Sequence, residues 1–303
     1  MGWAAGLTLT AAGATLAYAA AIERTLYQVR QEVLPILPTG SAPLRVLHLS
    51  DIHMVPGQKS KLDWLHSLAS LKPDLVVNTG DNLSHRNGVE PLLEALEPLL
   101  RFPGVYVPGS NDYYAPMLKN PLRYFAGPSL PSKETEPAEL PWADMFSAFG
   151  AAGWVDLTNR SQSVGFQNMR IDFTGVDDPH LGRDRYASYP AGSSTSAEAP
   201  HLRVAVAHAP YQRVLDYFTD DGADLILAGH THGGQVCVPG YGALVSNCDL
   251  PTWRARGLTQ WNHEGRTVPL NVSAGIGTSR FAPIRFACKP EAVLLTLTPP
   301  VVP

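Results

Sequence analysis

The chain has 303 residues, 45% of them hydrophobic and 17% charged, a globular balance that excludes a disordered or fibrous chain. A formal charge of −4 with no run of five basic residues excludes a nucleic-acid platform, so no nucleic-acid partner is expected. The three widely separated cysteines, Cys237, Cys248 and Cys288, exclude a disulfide framework and a thiolate zinc site, and read as small buried hydrophobes.

Residues 1–22 carry no charged side chain, and a helix needs about 20 residues to cross a bilayer. An uncleaved membrane anchor is expected there; Ala17-Tyr18-Ala19 resembles a signal-peptidase site, which makes an exported form the second reading, and a buried helix is the third. Arg24 and Arg30 follow the segment and no basic residue precedes it, which places the globular domain on the cytoplasmic side. Residues 23–43 close in a Pro-rich stretch and read as a linker to a domain over 44–299. Strands are predicted at Leu44 to Ser50, Asp74 to Asn78 and Gly104 to Val107, with helices at Leu62 to Leu71 and Glu90 to Leu100 between them. That alternation predicts a parallel-type sheet with helices on its faces. Residues 113–141, crowded with Pro, Tyr and charges, read as an insertion suited to a lid. Regular structure resumes with a helix near Trp142 to Phe149 and strands near Trp154 to Leu157 and Met169 to Gly175. After a small-residue loop, Ala191 to Pro200, come strands at His201 to Ala207, Asp224 to Ala228, Val268 to Ser273 and Ala292 to Leu297.

Metal-ligand residue types stand at the ends of several of these strands. They are Asp51 and His53, then Asp81 after Gly80, Asn111 and Asp112, His208, and finally His230 and His232. In extended chain, residues two apart point the same way, so Asp51 and His53 are expected to share one ion. The C-terminal ends of parallel strands gather at one sheet edge, where α/β proteins build their sites. Oxygen and imidazole ligands without thiolate suit two divalent ions such as Mn, Fe or Zn.

In this order the motifs Asp-x-His, Gly-Asp-Asn, Asn-Asp, His and Gly-His-Thr-His-Gly-Gly-Gln resemble the calcineurin-like metallophosphoesterases, over roughly Arg45 to Leu297. The segments Gly275 to Arg280 and Pro283 to Glu291 are similar to those of a bacterial membrane-associated branch. The resemblance implies an α/β fold, a β-sandwich flanked by helices, preceded here by an apolar N-terminal helix. It implies a first metal on Asp51, His53 and His232, a second on Asn111, His208 and His230, and Asp81 between them. The implied reaction is metal-assisted hydrolysis of a phosphomonoester, phosphodiester or pyrophosphate. The apolar N-terminus points to a lipid-linked substrate, and UDP-diacylglucosamine pyrophosphatases are a narrower reading. A non-catalytic scaffold of the same fold is the alternative, disfavoured because such chains lose ligands and this one keeps a full set.

The family usually reads Gly-Asn-His-Asp where this chain has Gly109-Ser110-Asn111-Asp112. Aligned without a gap, Ser110 takes the ligand position; slipped by one, Asn111 does, and its amide oxygen is the better ligand for a hard ion. The usual histidine is missing, so Asn111 and Asp112 become the candidate catalytic residues; general-acid help is expected from Asp112 or a metal-bound water, unless the substrate has a good leaving group. Asn82, His180 and Arg280 are secondary candidates for contact with substrate.

Overall fold

The computed structural model describes residues 13–117, 138–166, 169–190 and 201–300. Residues 1–12 of the expected anchor, 118–137 of the expected insertion and the loop 191–200 lie outside the described residues.

In chain order, β1 (Gln28–Leu34) precedes β2 (Leu44–Leu49), α1 (Lys59–Ser67), β3 (Leu75–Asn78), α2 (Val89–Leu96) and β4 (Gly104–Tyr106). A single turn, α3 (Ser110–Tyr113), is followed by α4 (Trp142–Ala151), β5 (Val155–Asp156), β6 (Arg160–Phe166) and β7 (Met169–Gly175). Then come β8 (His201–Val206), α5 (Gln212–Asp220), β9 (Leu225–Ala228) and the short strands β10 (Cys237–Val238) and β11 (Gly242–Ala243). The chain closes with β12 (Gly257–His263), β13 (Arg266–Val272) and β14 (Glu291–Leu297).

Among the described residues two six-stranded sheets form, ordered β1-β14-β2-β3-β4-β5 and β12-β13-β9-β8-β7-β6. Their centres are parallel: β2, β3 and β4 in one, β7, β8, β9 and β13 in the other. The period-2 alternation of these strands explains the layering. Leu44 and Val46 of β2 and Leu75 and Val77 of β3 meet Leu202, Val204, Leu225 and Leu227 of the second sheet in a shared core. Leu47, Leu49 and Val76 point the other way, onto Leu65 of α1, Leu92 and Leu96 of α2, and Phe149 of α4. Ala205 and Ile226 face Val214, Leu215 and Phe218 of α5. The result is a β-sandwich with helices on both outer faces, as the motif resemblance implied.

Two N-terminal expectations are corrected. The stretch read as a linker, 23–43, supplies β1, an edge strand paired in parallel with β14 from Gln28↔Glu291 to Leu34↔Leu297. Its polar sequence hid it, because only one face of an edge strand needs apolar residues. Among the described residues no helix is long and apolar enough to cross a membrane. The segment that precedes β1 is helical over 13–21 and packs on the domain: Ala19 is buried and its carbonyl accepts the Arg285 N–H at 3.1 Å. Glu23, also buried, accepts the Cys288 N–H at 2.7 Å. The expected membrane-associated, cytoplasm-facing placement therefore loses its basis. The three cysteines are free and buried, as expected.

Candidate metal centre

Every expected ligand sits just beyond a strand's C-terminal end: Asp51 and His53 after β2, Asp81 after β3, Asn111 after β4, His208 after β8, His230 and His232 after β9. The two-apart geometry of extended chain does not operate here. Asp51, His53, Asp81, His230 and His232 all have positive φ, between 47° and 68°, so left-handed turns rather than strand alternation aim these side chains inward. Such conformations cost of order 1–3 kcal/mol each and cluster at functional sites. Gly80, at φ 88°, is required at the tip of β3, because a Cβ there would strike the backbone of Pro108 and Gly109.

All seven side chains converge. His53 Nε2 lies 3.1 Å from His232 Nε2 and 3.6 Å from Asp81 Oδ2, and His232 Nε2 lies 3.5 Å from Asp51 Oδ1. On the other side His208 Nε2 lies 3.5 Å from Asp81 Oδ1 and 3.3 Å from His230 Nδ1. Asp81 thus turns one oxygen toward each histidine pair. Asn111 adjoins it, donating from both its backbone N–H and its side-chain amide at 2.7 Å. A half-turn of that amide presents its oxygen instead. Ser110 has no such contact with Asp81; its hydroxyl lies 3.5 Å from the Asn111 amide.

Neighbouring groups set which nitrogen of each ring faces the centre. His208 Nδ1 donates to the Thr79 carbonyl at 2.7 Å, which turns Nε2 inward. His230 Nε2 donates to the Asn247 carbonyl at 3.2 Å, which leaves Nδ1 inward. His53 Nδ1 pairs with the Ser84 hydroxyl at 2.8 Å.

Burial pushes the Asp51 carboxyl up to about 6, with His208 opposing and Asp81 adding to the rise. Burial also lowers His53 to about 4 and holds His230 and His232 well below the usual imidazole value, so all three present lone pairs at neutral pH. His208 moves the other way, to about 9: burial opposes its charge, but Asp81, Asp51 and Asp178 outweigh burial. Asp81 stays below the usual carboxylate range because His208, His53 and the Asn111 hydrogen bonds outweigh its own burial. One proton on His208 is thus set against several buried carboxylates. Asp51 Oδ1 is buried with no hydrogen-bond partner among the described residues. Buried anionic oxygens call for a donor or a cation. Oxygen and imidazole donors without thiolate fit borderline divalent ions, so the residues present suit the two metals.

The model of the calcineurin-like phosphoesterase family matches residues 44–234, well over half of the chain. The chain is a calcineurin-like phosphoesterase. Among its relatives are "Phosphodiesterase YaeI" of Escherichia coli, 25% identical over 89% of this chain and 88% of that protein, and "Uncharacterized metallophosphoesterase YkuE" of Bacillus subtilis, 25% identical over 94% and 91%. A third, "Uncharacterized protein YpbG" of Bacillus subtilis, is 26% identical over 86% of this chain and 83% of its own length. The phosphoesterase is accordingly a metal-dependent phosphoric ester hydrolase, and its substrates are phosphate esters.

Other expected residues are placed differently. Asp112 is fully buried, and its carboxylate accepts the backbone N–H groups of Asn82 at 2.7 Å, Gly109 at 2.8 Å and Asp81 at 3.0 Å. Burial and the Asp81 charge push this carboxyl up to about 7, while the Gly109 and Asn82 hydrogen bonds pull it down. It ties the Asp81 and Asn111 loops together, both carboxylate oxygens engaged by backbone N–H groups at the position where a general acid was expected. Asn82, expected to touch substrate, is also buried, its amide oxygen accepting from Asn78 at 2.7 Å. Arg280 is exposed, its guanidinium 6.0 Å from the Phe281 ring. His180 does reach the centre, its ring 4.7 Å from that of His230.

The sequence reading missed two buried cations behind the phosphoesterase's ligands. Lys61 donates to the carbonyls of Ile52 at 2.7 Å and His53 at 3.3 Å, and burial lowers its pKa to about 7. Arg285, fully buried, donates to the carbonyls of Ala274, Gly275, Gly277 and Cys288 and lies 3.4 Å from His232 Nδ1. Neither carried a usable signal, because a lone Lys or Arg in sequence is by default solvated.

Proposed function

We propose that this phosphoesterase hydrolyses phosphodiesters with two divalent ions of the Mn, Fe or Zn type. One ion would be held by Asp51, His53 and His232, the other by Asn111, His208 and His230, with Asp81 between them. The observation that carries the reading is the convergence of these seven side chains around Asp81, with Asp51 Oδ1 lacking a hydrogen-bond partner among the described residues. Two ions bound there would polarise the phosphoryl oxygens and activate a water for in-line attack. The chain's own part is to orient the ligands: Thr79, Asn247 and Ser84 fix the rings, and Asp112 holds the Asp81 and Asn111 loops together.

Charge favours a diester over a monoester. Burial, with the Asp81 and Asp177 charges added, pushes the Asp178 carboxyl up to about 7, so further negative charge is resisted here and a dianionic monoester would meet more repulsion than a diester. The name of the Escherichia coli relative supports the same choice. A lipid-linked substrate has no support once the segment before β1 packs on the domain, and the convergence of these side chains favours an enzyme over the scaffold alternative. The test is dialysis against a chelator, then reloading with Mn(II), Fe(II) or Zn(II) and comparing bis(4-nitrophenyl) phosphate with 4-nitrophenyl phosphate. Restored turnover with the diester preferred is expected; absence of metal-dependent turnover on both would overturn the reading.

A further inference from the structure

Breaking the phosphorus–oxygen bond of an unactivated ester builds charge on the departing oxygen, which a placed hydrogen-bond donor stabilises. Asp112 does not supply that donor, because its carboxylate is taken up by three backbone N–H groups. Another loop brings a ring against the ligands. Beyond β7 the chain makes a turn at Pro179–Leu181, which carries His180. The turn is firmly held: the buried carboxylate of Asp178 caps it, accepting the His180 N–H at 2.9 Å, and Pro179 presets its first position. From there the His180 ring lies 4.7 Å from the His230 ring.

A second element orients that ring. Tyr211, which caps the start of α5, places its hydroxyl 3.1 Å from His180 Nδ1. Burial pushes the Tyr211 hydroxyl up to about 12, so it keeps its proton and has one to offer Nδ1. A neutral imidazole that accepts at Nδ1 carries its own proton on Nε2. His180 is thus held by its own turn and by the start of α5, with Nδ1 facing the Tyr211 hydroxyl and the ring packed on a proposed ligand.

We propose that His180 is a catalytic residue whose Nε2–H donates a hydrogen bond to the departing oxygen of the ester, with Tyr211 the positioning residue that fixes its ring. The water oxygen bonds to phosphorus as the bond from phosphorus to the departing oxygen breaks. The water's proton passes to solvent, the released oxygen is protonated from solvent, and His180 keeps its proton throughout. The role rests on the phosphodiesterase reading.

The test uses the Mn(II)-loaded full chain and methyl aryl phosphates whose phenol ranges from 4-nitrophenol to unsubstituted phenol. Removing one such donor costs roughly 100-fold in kcat. His180→Ala should lose about that factor on the phenol ester and far less on the 4-nitrophenol ester, with metal content unchanged. His180→Asn, which keeps an N–H donor, should recover part of the loss, and Tyr211→Phe should show a smaller loss with the same leaving-group trend. A loss equal across all leaving groups, or no loss, would overturn the role of His180. A wild-type protein without turnover on any of these esters would overturn the hydrolase reading instead.

Discussion

Replacing Asp112 by asparagine separates a structural role from an acid role, because the change keeps size and removes one acceptor. In the native chain one carboxylate oxygen accepts the Asn82 N–H, and the other accepts those of Asp81 and Gly109. Asparagine turned to serve Asp81 and Gly109 sets its NH2 group against the Asn82 N–H, donor on donor in a fully buried place. One lost hydrogen bond to a charged acceptor costs about 1.5–3 kcal/mol, and two that become neutral lose about 1 kcal/mol together. A total near 3 kcal/mol, from a stability of roughly 5–15 kcal/mol, lowers Tm by about 6 °C. Because Asp112 acts on the ligand loops, Asp112→Asn should also lower metal content and slow every ester by a similar factor. Calorimetry, metal analysis and the aryl ester series measure the three effects. An Asp112→Asn chain with normal Tm and full metal, slowed only on esters with poor leaving groups, would refute this account and restore the acid role.

Asp81→Ala removes the carboxylate that both histidine pairs face; metal analysis should show the second ion lost and kcat should fall by roughly 100-fold or more, and near-normal turnover would refute the bridging role. His208 holds its proton up to about 9, and that proton must leave before the ring can bind an ion. Metal affinity should therefore climb by about tenfold per pH unit through the neutral range and level off above the His208 value, and a flat profile in competition titrations would contradict the charge balance described for the centre. Gly229→Ala puts a methyl group into Ser50 Oγ and the Asp51 carboxylate, so the folded variant should bind less metal on the Asp51 side; full metal content would show that the loop yields at no cost.

Ligand residue types and their order were legible because a metal centre demands rare chemistry at strand ends, and apolar runs such as Leu44 to Leu49 announce buried strands. The β7 segment Met169–Gly175 was legible to the residue for the same reason. Elements with one solvated face were not. The strand β1 reads as polar linker, and α5 hides Val214, Leu215 and Phe218 among polar residues that face outward. The direction of Asp51 and His53 was misread, because nothing in the local sequence announces non-glycine residues in left-handed turns; the packing of the whole centre imposes them.

Asp112 shows where sequence stops. Its position beside Asn111 invites a catalytic role, and only the approach of the Asp81 and Gly109 backbones, some thirty residues apart, consumes its oxygens. What the sequence alone determined is which side chains can bind metal and which strands carry them, since both depend on residue type and local pattern. Which neutral groups orient those side chains, which carboxylate is spent on backbone, and which histidine comes to lie over His230 were decided by the tertiary structure. Those contacts join residues far apart in the chain, and their energies exist only once the two sheets have closed.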